Sequence, residues 1–360
     1  MDRLAASVSS LGSRSVDTGR SRLGPGARAL RSSHPALAWL IAGALGLLAV
    51  SLAIQAAQAG AGHASLHQIS GAPAWMKPAK FAASIAVTAP ALAWILGQMR
   101  QRLDLRRWRW LDRAGGLIAA LAALELAAIT LQAARGVPSH FNQATRFDVA
   151  VFATMGAAIA LLWLAELFIA VCAFRMRFST PARTWAIRLG LAGTLFGGAV
   201  GAIMPRPTAA QIESLRARRP TPRIGAHAVG VPDGGPGLPF TRWSTEGGDL
   251  RVPHFVGLHA LQVLPLAALL LERRARRRAN QSLGRAAAPA PARPIVALGF
   301  AWIGLTSVTL WQALRGQPLL APDARTLAVS CAVLAAAVAI ALGDRLLPHP
   351  ARAPLARTIR

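Results

Sequence analysis

Eight apolar stretches, each about as long as a bilayer core is thick, leave this chain few ways to fold. A helix needs about 20 apolar residues to cross the hydrocarbon, where every backbone polar group must bond within its own segment. The stretches fall at roughly 35–59, 80–99, 114–135, 147–173, 184–204, 253–271, 294–314 and 325–344. They predict an all-α fold, a polytopic membrane helix bundle of eight transmembrane helices. Composition agrees, because 54% of the 360 residues are apolar and only 14 are acidic, a balance that a water-soluble domain of this size does not need.

Forty Lys and Arg give a net charge of +26, which in a soluble chain would suggest nucleic acid. Here the basic residues flank the apolar stretches, so orientation accounts for them, and the expected partner is the lipid bilayer with no nucleic acid. Of the 40, 27 lie in the N-terminal tail, in the links around Arg106, Arg177 and Arg276, and in the C-terminal tail. Those segments are expected to face the cytoplasm. The chain then reads as a multi-pass protein of a bacterial inner (plasma) membrane with both termini cytoplasmic, and the links 60–79, 136–146 and 205–252 lie outside.

The expected organisation is a disordered, basic cytoplasmic tail over 1–34 and a first membrane half plus the fifth span over 35–204. A long external Pro/Gly/Arg-rich loop follows over 205–252, then the remaining three spans over 253–345 and a cytoplasmic tail over 346–360. Within the loop, 210–225 read as disordered and Trp243 to Pro253 as an ordered cap. Cys172 and Cys331 fall near opposite ends of their spans, so no disulfide is expected between them.

Two halves share a plan. Pro78 and Pro90 open and interrupt the second span as Pro253 and Pro265 do the sixth, and Arg135-Gly136-Val137-Pro138 closes the third as Arg315-Gly316-Gln317-Pro318 closes the seventh. A 4+4 internal repeat follows, and an even number of spans in each half makes the halves parallel. Each inner proline frees a carbonyl four residues earlier, at Ala86 and Leu261. Glycines 190, 193, 197 and 201 of the fifth span mark a face for close helix packing.

Arginine outnumbers lysine 38 to 2, and both lysines stand three apart in Trp75-Met76-Lys77-Pro78-Ala79-Lys80-Phe81, at the outer mouth of the second span. An ammonium is a compact point charge suited to a phosphate or carboxylate. At the same depth come His140 and Asn142 before the fourth span, and Asp249, Arg251 and His254 leading into the sixth, with His259 and Gln262 one turn deeper. Snorkelling anchors and solvated histidines are the bland alternative. Two intramembrane acids stand out, Glu125 near the middle of the third span and Glu166 in the fourth, since a buried acid in lipid needs a partner or a task. Glu125 and Gln132 share one stripe and suggest a polar track towards the outer cluster. His63 and His67 could clip a metal only if their link were helical.

The leading expectation is a small anionic or polar ligand bound between the halves near the outer face, for transport or sensing. Lys77, Lys80 and Arg251 would be its charge partners, and His254, His259 and Gln262 its hydrogen-bonding groups, with Glu125 as a coupling acid. No single metal site is expected from His254 and His259, whose spacing sets them far apart around one helix. A second reading is a redox protein holding haem or a metal through His140 and either His254 or His259. A third is a membrane enzyme acting on a lipid or envelope substrate, with His259 as base and Lys80 on a phosphate. No diagnostic catalytic motif chooses among them. The strings WMKPAKF, PSHFN and GDLRVPHFVGLHALQ resemble those of an uncharacterised bacterial family of multi-pass integral membrane proteins, a resemblance that implies membrane architecture and no activity.

Overall fold

The computed structural model describes residues 34–61, 68–281 and 290–346. The N-terminal tail up to residue 33, the His63/His67 pair and the tail beyond 346 lie outside the described residues. Among those described, long helices dominate: α1 (Pro35–Gly60), α2 (Met76–Arg100), α3 (Leu105–Ala134), α4 (Arg146–Phe174) and α5 (Pro181–Gly201) precede the long loop. The loop holds α6 (Ala209–Arg216), and α7 (Arg251–Leu258), α8 (Ala260–Gln281), α9 (Arg293–Leu314) and α10 (Ala324–Leu346) follow it. Local signals set the boundaries. Asp104, Thr145, Thr180 and Thr208 cap α3, α4, α5 and α6, each side chain accepting a backbone N–H of the first turn.

Seven helical segments are long and apolar enough to cross a membrane: α1, α2, α3, α4, α7 and α8 taken together, α9, and Ala324–Gly343 of α10. Their outward faces carry exposed Leu45, Leu52, Leu161, Leu164, Leu334 and Val338, as surfaces solvated by lipid tails do. The expected fifth span differs. α5 has 21 residues, enough for about 30 Å at the helical rise, but glycines, threonines, Arg183 and Arg188 dilute its apolar character. The physical reason is its position: α5 packs against α4, α7, α8 and α9, so much of its surface meets protein rather than lipid.

α5 also runs from one end of the bundle to the other. At its start Arg183 donates to Gln98 Oε1, near the end of α2, at 2.7 Å and through Nε to Glu272 Oε1, well along α8, at 3.1 Å. Near its far end, Gly197 O accepts from His254 Nδ1 on α7 at 2.7 Å. The glycine face meets α7 and α8 as the small-residue spacing predicts. A Cβ on Gly197 would lie 2.5 Å from Leu258 N, and one on Gly257 2.5 Å from Gly197 Cα, so the two backbones touch where only glycine fits.

Helix contacts fall into two matching sets. α1 meets α2 and α3, α2 meets α3, and α3 meets α4; in the same order α5 meets α7–α8 and α9, α7–α8 meets α9, and α9 meets α10. The sets join through α4 with α5 and through α2 with α8. Local structure matches too. Gly136 and Gly316 both take φ +70°, and each ends its helix with paired amide bonds: Gly136 to Ala133 O with Val137 to Gln132 O, and Gly316 to Ala313 O with Gln317 to Gln312 O. The preceding arginine then reaches the cap of the next helix, Arg135 to Asp148 at 2.6 Å and Arg315 to Asp323.

Pro90 lies inside α2 and Pro265 inside α8. The visible break in the sixth span comes earlier than Pro265, at His259 between α7 and α8, where Gln262 N bonds to His259 O in a tighter turn. The long loop is stitched down rather than loose. β1 (Ala228–Val229) pairs antiparallel with β2 (Gly248–Asp249), while Ile224 N bonds Phe141 O, Ala226 N bonds Met204 O and Leu250 N bonds His227 O. Residues 210–225 are ordered as well, since Gln211 closes a capping box with Thr208 and binds the backbone of Gly225. Composition alone suggested disorder there; these side-chain-to-backbone bonds supply the order.

Candidate functional site

The starts of α2, α4 and α7 and the ends of α3 and α5 meet at one end of the bundle, under the long loop. There Lys77, on the first turn of α2, places Nζ 3.0 Å from His140 Nδ1. Ser139 Oγ lies 3.1 Å from the same nitrogen, and His140 Nε2 is 3.5 Å from Glu125 Oε1. An ammonium can only donate, so Nδ1 accepts and Nε2 carries the hydrogen that faces Glu125. The three groups form a line that descends from the bundle end into α3. Exposure falls along it, since the His140 side chain is 23% exposed and that of Glu125 5%. Glu125 Oε2 is buried with no hydrogen-bond partner.

Aromatic rings hold His140 in place. Phe81, Phe141 and Phe152 each stand 6.1 Å from it, centroid to centroid. Burial, and after it the charges of Lys77, His227 and His254, hold the His140 pKa well below the ordinary imidazole value, so the ring is neutral near pH 7.

Lys80, one turn further along α2, is exposed and donates to Thr241 O at 3.2 Å. Neither lysine forms an ion pair among the described residues. Arg251 does: it grips Asp249, with Nη2 to Oδ2 at 2.5 Å, and also donates to Arg242 O. Asp249 in addition accepts from the backbone amides of Ser244 and Arg251. Arg251 and Asp249 thus neutralise each other and fasten the loop. Asn142 has a structural task too, bonding Pro138 O and Ala144 N to shape its turn.

His254 is taken up by the Gly197 carbonyl. His259 stacks on Phe255 at 4.0 Å, and its Nδ1 is buried without a partner. Gln262 Nε2 donates to Thr88 Oγ1 at 2.9 Å, joining α8 to α2, while its Oε1 is buried and unpartnered. Gln132 does not continue the track from Glu125; it bonds Asp148 Oδ1 at 2.9 Å within the α3–α4 cap. Glu166 is buried in α4 and makes no hydrogen bond or ion pair among the described residues, and none of the cluster groups touches it.

The long loop adds two residues that sequence reasoning missed. His227 Nδ1 lies 2.9 Å from Asp233 Oδ2, and Asp233 also accepts the amides of His227 and Ala228. Burial alone would raise the Asp233 pKa, but these bonds outweigh it and hold the carboxyl well below the usual carboxylate range. Burial also lowers His227, against the opposing pull of Asp233. Phe141 carries the dyad to the cluster, its ring 4.8 Å from His227 and 6.1 Å from His140. The one signal available in the sequence was His227 six residues before Asp233, with Gly230-Val231-Pro232 between them.

An apolar groove of about 710 Å³ between α1 and α3, lined by Trp39, Leu47, Gly116, Ala123 and Leu126 among others, includes none of the cluster residues. Among the described residues no group of three or more His, Cys, Asp or Glu is arranged to hold a metal ion. Both ring nitrogens of His140 face partners, so it offers no unengaged nitrogen to a haem iron. Comparison with known protein families, with curated proteins and with solved structures finds no match to any of them.

Proposed function

We propose that the protein binds a small anion at the outer face of the inner membrane, between two parallel four-helix halves, for transport or sensing. The carrying observation is the pair of ammonium groups gathered by the fold: Lys77 has a neutral imidazole as its partner and Lys80 a backbone carbonyl. Three carboxylates at this end are already matched, Asp249 by Arg251, Asp148 by Arg135 and Asp233 by His227 and, at 3.9 Å, Arg223. Positive charge is left over, which suits an anion.

The matching helix contacts support a 4+4 repeat, and the end-to-end run of α5 supports an eighth span. With eight spans the arginine-rich links and both termini share the cytoplasmic side. The contact between the two proline-interrupted helices, at Thr88 and Gln262, then lies on the seam between halves, where a path through the bilayer would run. Glu125, reached through His140, is placed to exchange a proton with whatever occupies the site.

The test is equilibrium binding to detergent-purified protein with inorganic phosphate, sulfate and succinate as probes. At least one should bind, and the Lys77→Ala/Lys80→Ala variant should weaken it by about tenfold or more, the size expected for losing two charge-assisted contacts. Binding of none of the three, or undiminished binding by the double variant, would remove this reading.

A further inference from the structure

Two further imidazoles at this end of the bundle have their hydrogens assigned by their partners. Asp233 is an ionised acceptor, so the His227 nitrogen facing it at 2.9 Å, Nδ1, carries the hydrogen. The Gly197 carbonyl can only accept, so His254 Nδ1, at 2.7 Å, carries one as well. A neutral imidazole has a single N–H, which leaves Nε2 of each ring as a lone-pair acceptor. His227 Nε2 makes no hydrogen bond among the described residues and is not sealed from solvent. Phe141 joins His227 to the lysine end of the cluster, its ring 4.8 Å from His227 and 6.1 Å from His140, which holds Lys77 at 3.0 Å. An ammonium donor and an uncharged acceptor are thereby set around one aromatic ring.

An anion bearing no hydrogen satisfies the donors and sets its own lone pairs against the acceptors. An anion with an O–H satisfies both. We propose that the site selects an oxyanion that carries its own hydrogen, hydrogenphosphate or the singly protonated form of a phosphomonoester, over sulfate or a phosphodiester, with His227, oriented by Asp233, accepting that hydrogen. This rests on the anion-site reading above and adds which anion. An acceptor from which the ligand has displaced water rejects an anion without a hydrogen, because the cost is an unpaired polar group rather than a lost contact.

The experiment is calorimetric titration of the detergent-purified full chain at about pH 7.5, where His is neutral. The probes are inorganic phosphate, sulfate, short-chain phosphatidic acid and short-chain phosphatidylglycerol. Phosphate or phosphatidic acid should bind about tenfold or more tighter than sulfate and the diester, and the tighter of the two names the source, free or lipid-borne. His227→Phe keeps a ring against Phe141 and removes the acceptor, so it should bring the two affinities together, lowering that of phosphate and raising that of sulfate. Equal binding of sulfate and phosphate by the unaltered protein overturns the selection while the anion reading stands, and needs no variant. Preference retained in His227→Phe overturns the role of His227. Failure of all four probes, with succinate binding, overturns the selection alone; failure of all four and of succinate removes the anion reading itself.

Discussion

Lys77 and His140, 63 residues apart, meet at 3.0 Å with the ammonium donating to Nδ1. With Lys77 as an ammonium, that bond makes Nδ1 the acceptor, and the other nitrogen faces Glu125. It turns a half-buried ammonium, an imidazole and a buried acid into a connected set.

Truncating the middle of this set should be costly. His140→Ala leaves the Lys77 ammonium and the already under-partnered Glu125 without their shared neighbour, which should destabilise the protein by about 1–3 kcal/mol. His140→Gln, which can still accept from Lys77, should recover part of the loss. Unfolding midpoints of the two variants in detergent, measured beside the unaltered protein, check the order; equal midpoints for Ala and Gln would show that packing, not hydrogen bonding, dominates.

At the opposite end, Arg183 binds Gln98, Glu272 and the face of Trp94, and Thr180 also donates to Glu272 at 2.7 Å. The pair is largely buried, with side chains 14% and 6% exposed. Glu272→Ala strands the guanidinium and should cost about 3–5 kcal/mol, whereas removing both partners should cost less than the two single changes together. A double-mutant cycle on thermal unfolding reads the coupling, and additive single effects would count against it.

Gly197→Ala should fail by collision. The added carbon would sit 2.5 Å from Leu258 N, against backbone that cannot rotate away. Overpacking of this kind costs about 1–3 kcal/mol. Gly136→Ala, by contrast, meets no neighbour within 4 Å and is strained only by its φ of +70°. Of the two, Gly197→Ala should show the larger drop in folded yield.

Stability should depend on pH through His140 and His227. Both lie outside the spans, and burial lowers both from the ordinary imidazole value of 6.5. The charged groups acting on His227 are Asp233, which favours protonation, and Arg251 and Lys77, which oppose it. A group harder to protonate folded than unfolded binds fewer protons in the native state, so stability is flat above about pH 6.5 and falls as pH drops below it. Unfolding midpoints from pH 8 to 5 should show that fall, with a shallower slope in His140→Gln. An unchanged slope would mean that His140 is not held neutral.

Much of the architecture is legible in residue order because lipid imposes local rules. Length and apolarity mark the spans, threonines and Asp104 start helices, and the glycine spacing on α5 foretells its contact with α7. The lysine pair stands out for a similar reason, as a local departure from an arginine-rich background. α5 itself is less legible as a span, since a helix surrounded by protein need not satisfy the hydropathy that lipid demands.

The membership of the site was decided elsewhere. Residue order alone could not say that Arg251 is neutralised by Asp249, that Gly197 O takes up His254, or that Gln132 serves the Asp148 cap instead of Glu125. Nor could it pair His227 with Asp233 and bring both to His140 across Phe141. Transfer free energy and helical period act between residues a turn apart, so a sequence displays them directly. Hydrogen bonds between loops and helix ends depend on which ends the packed bundle brings together, and only the tertiary structure specifies that.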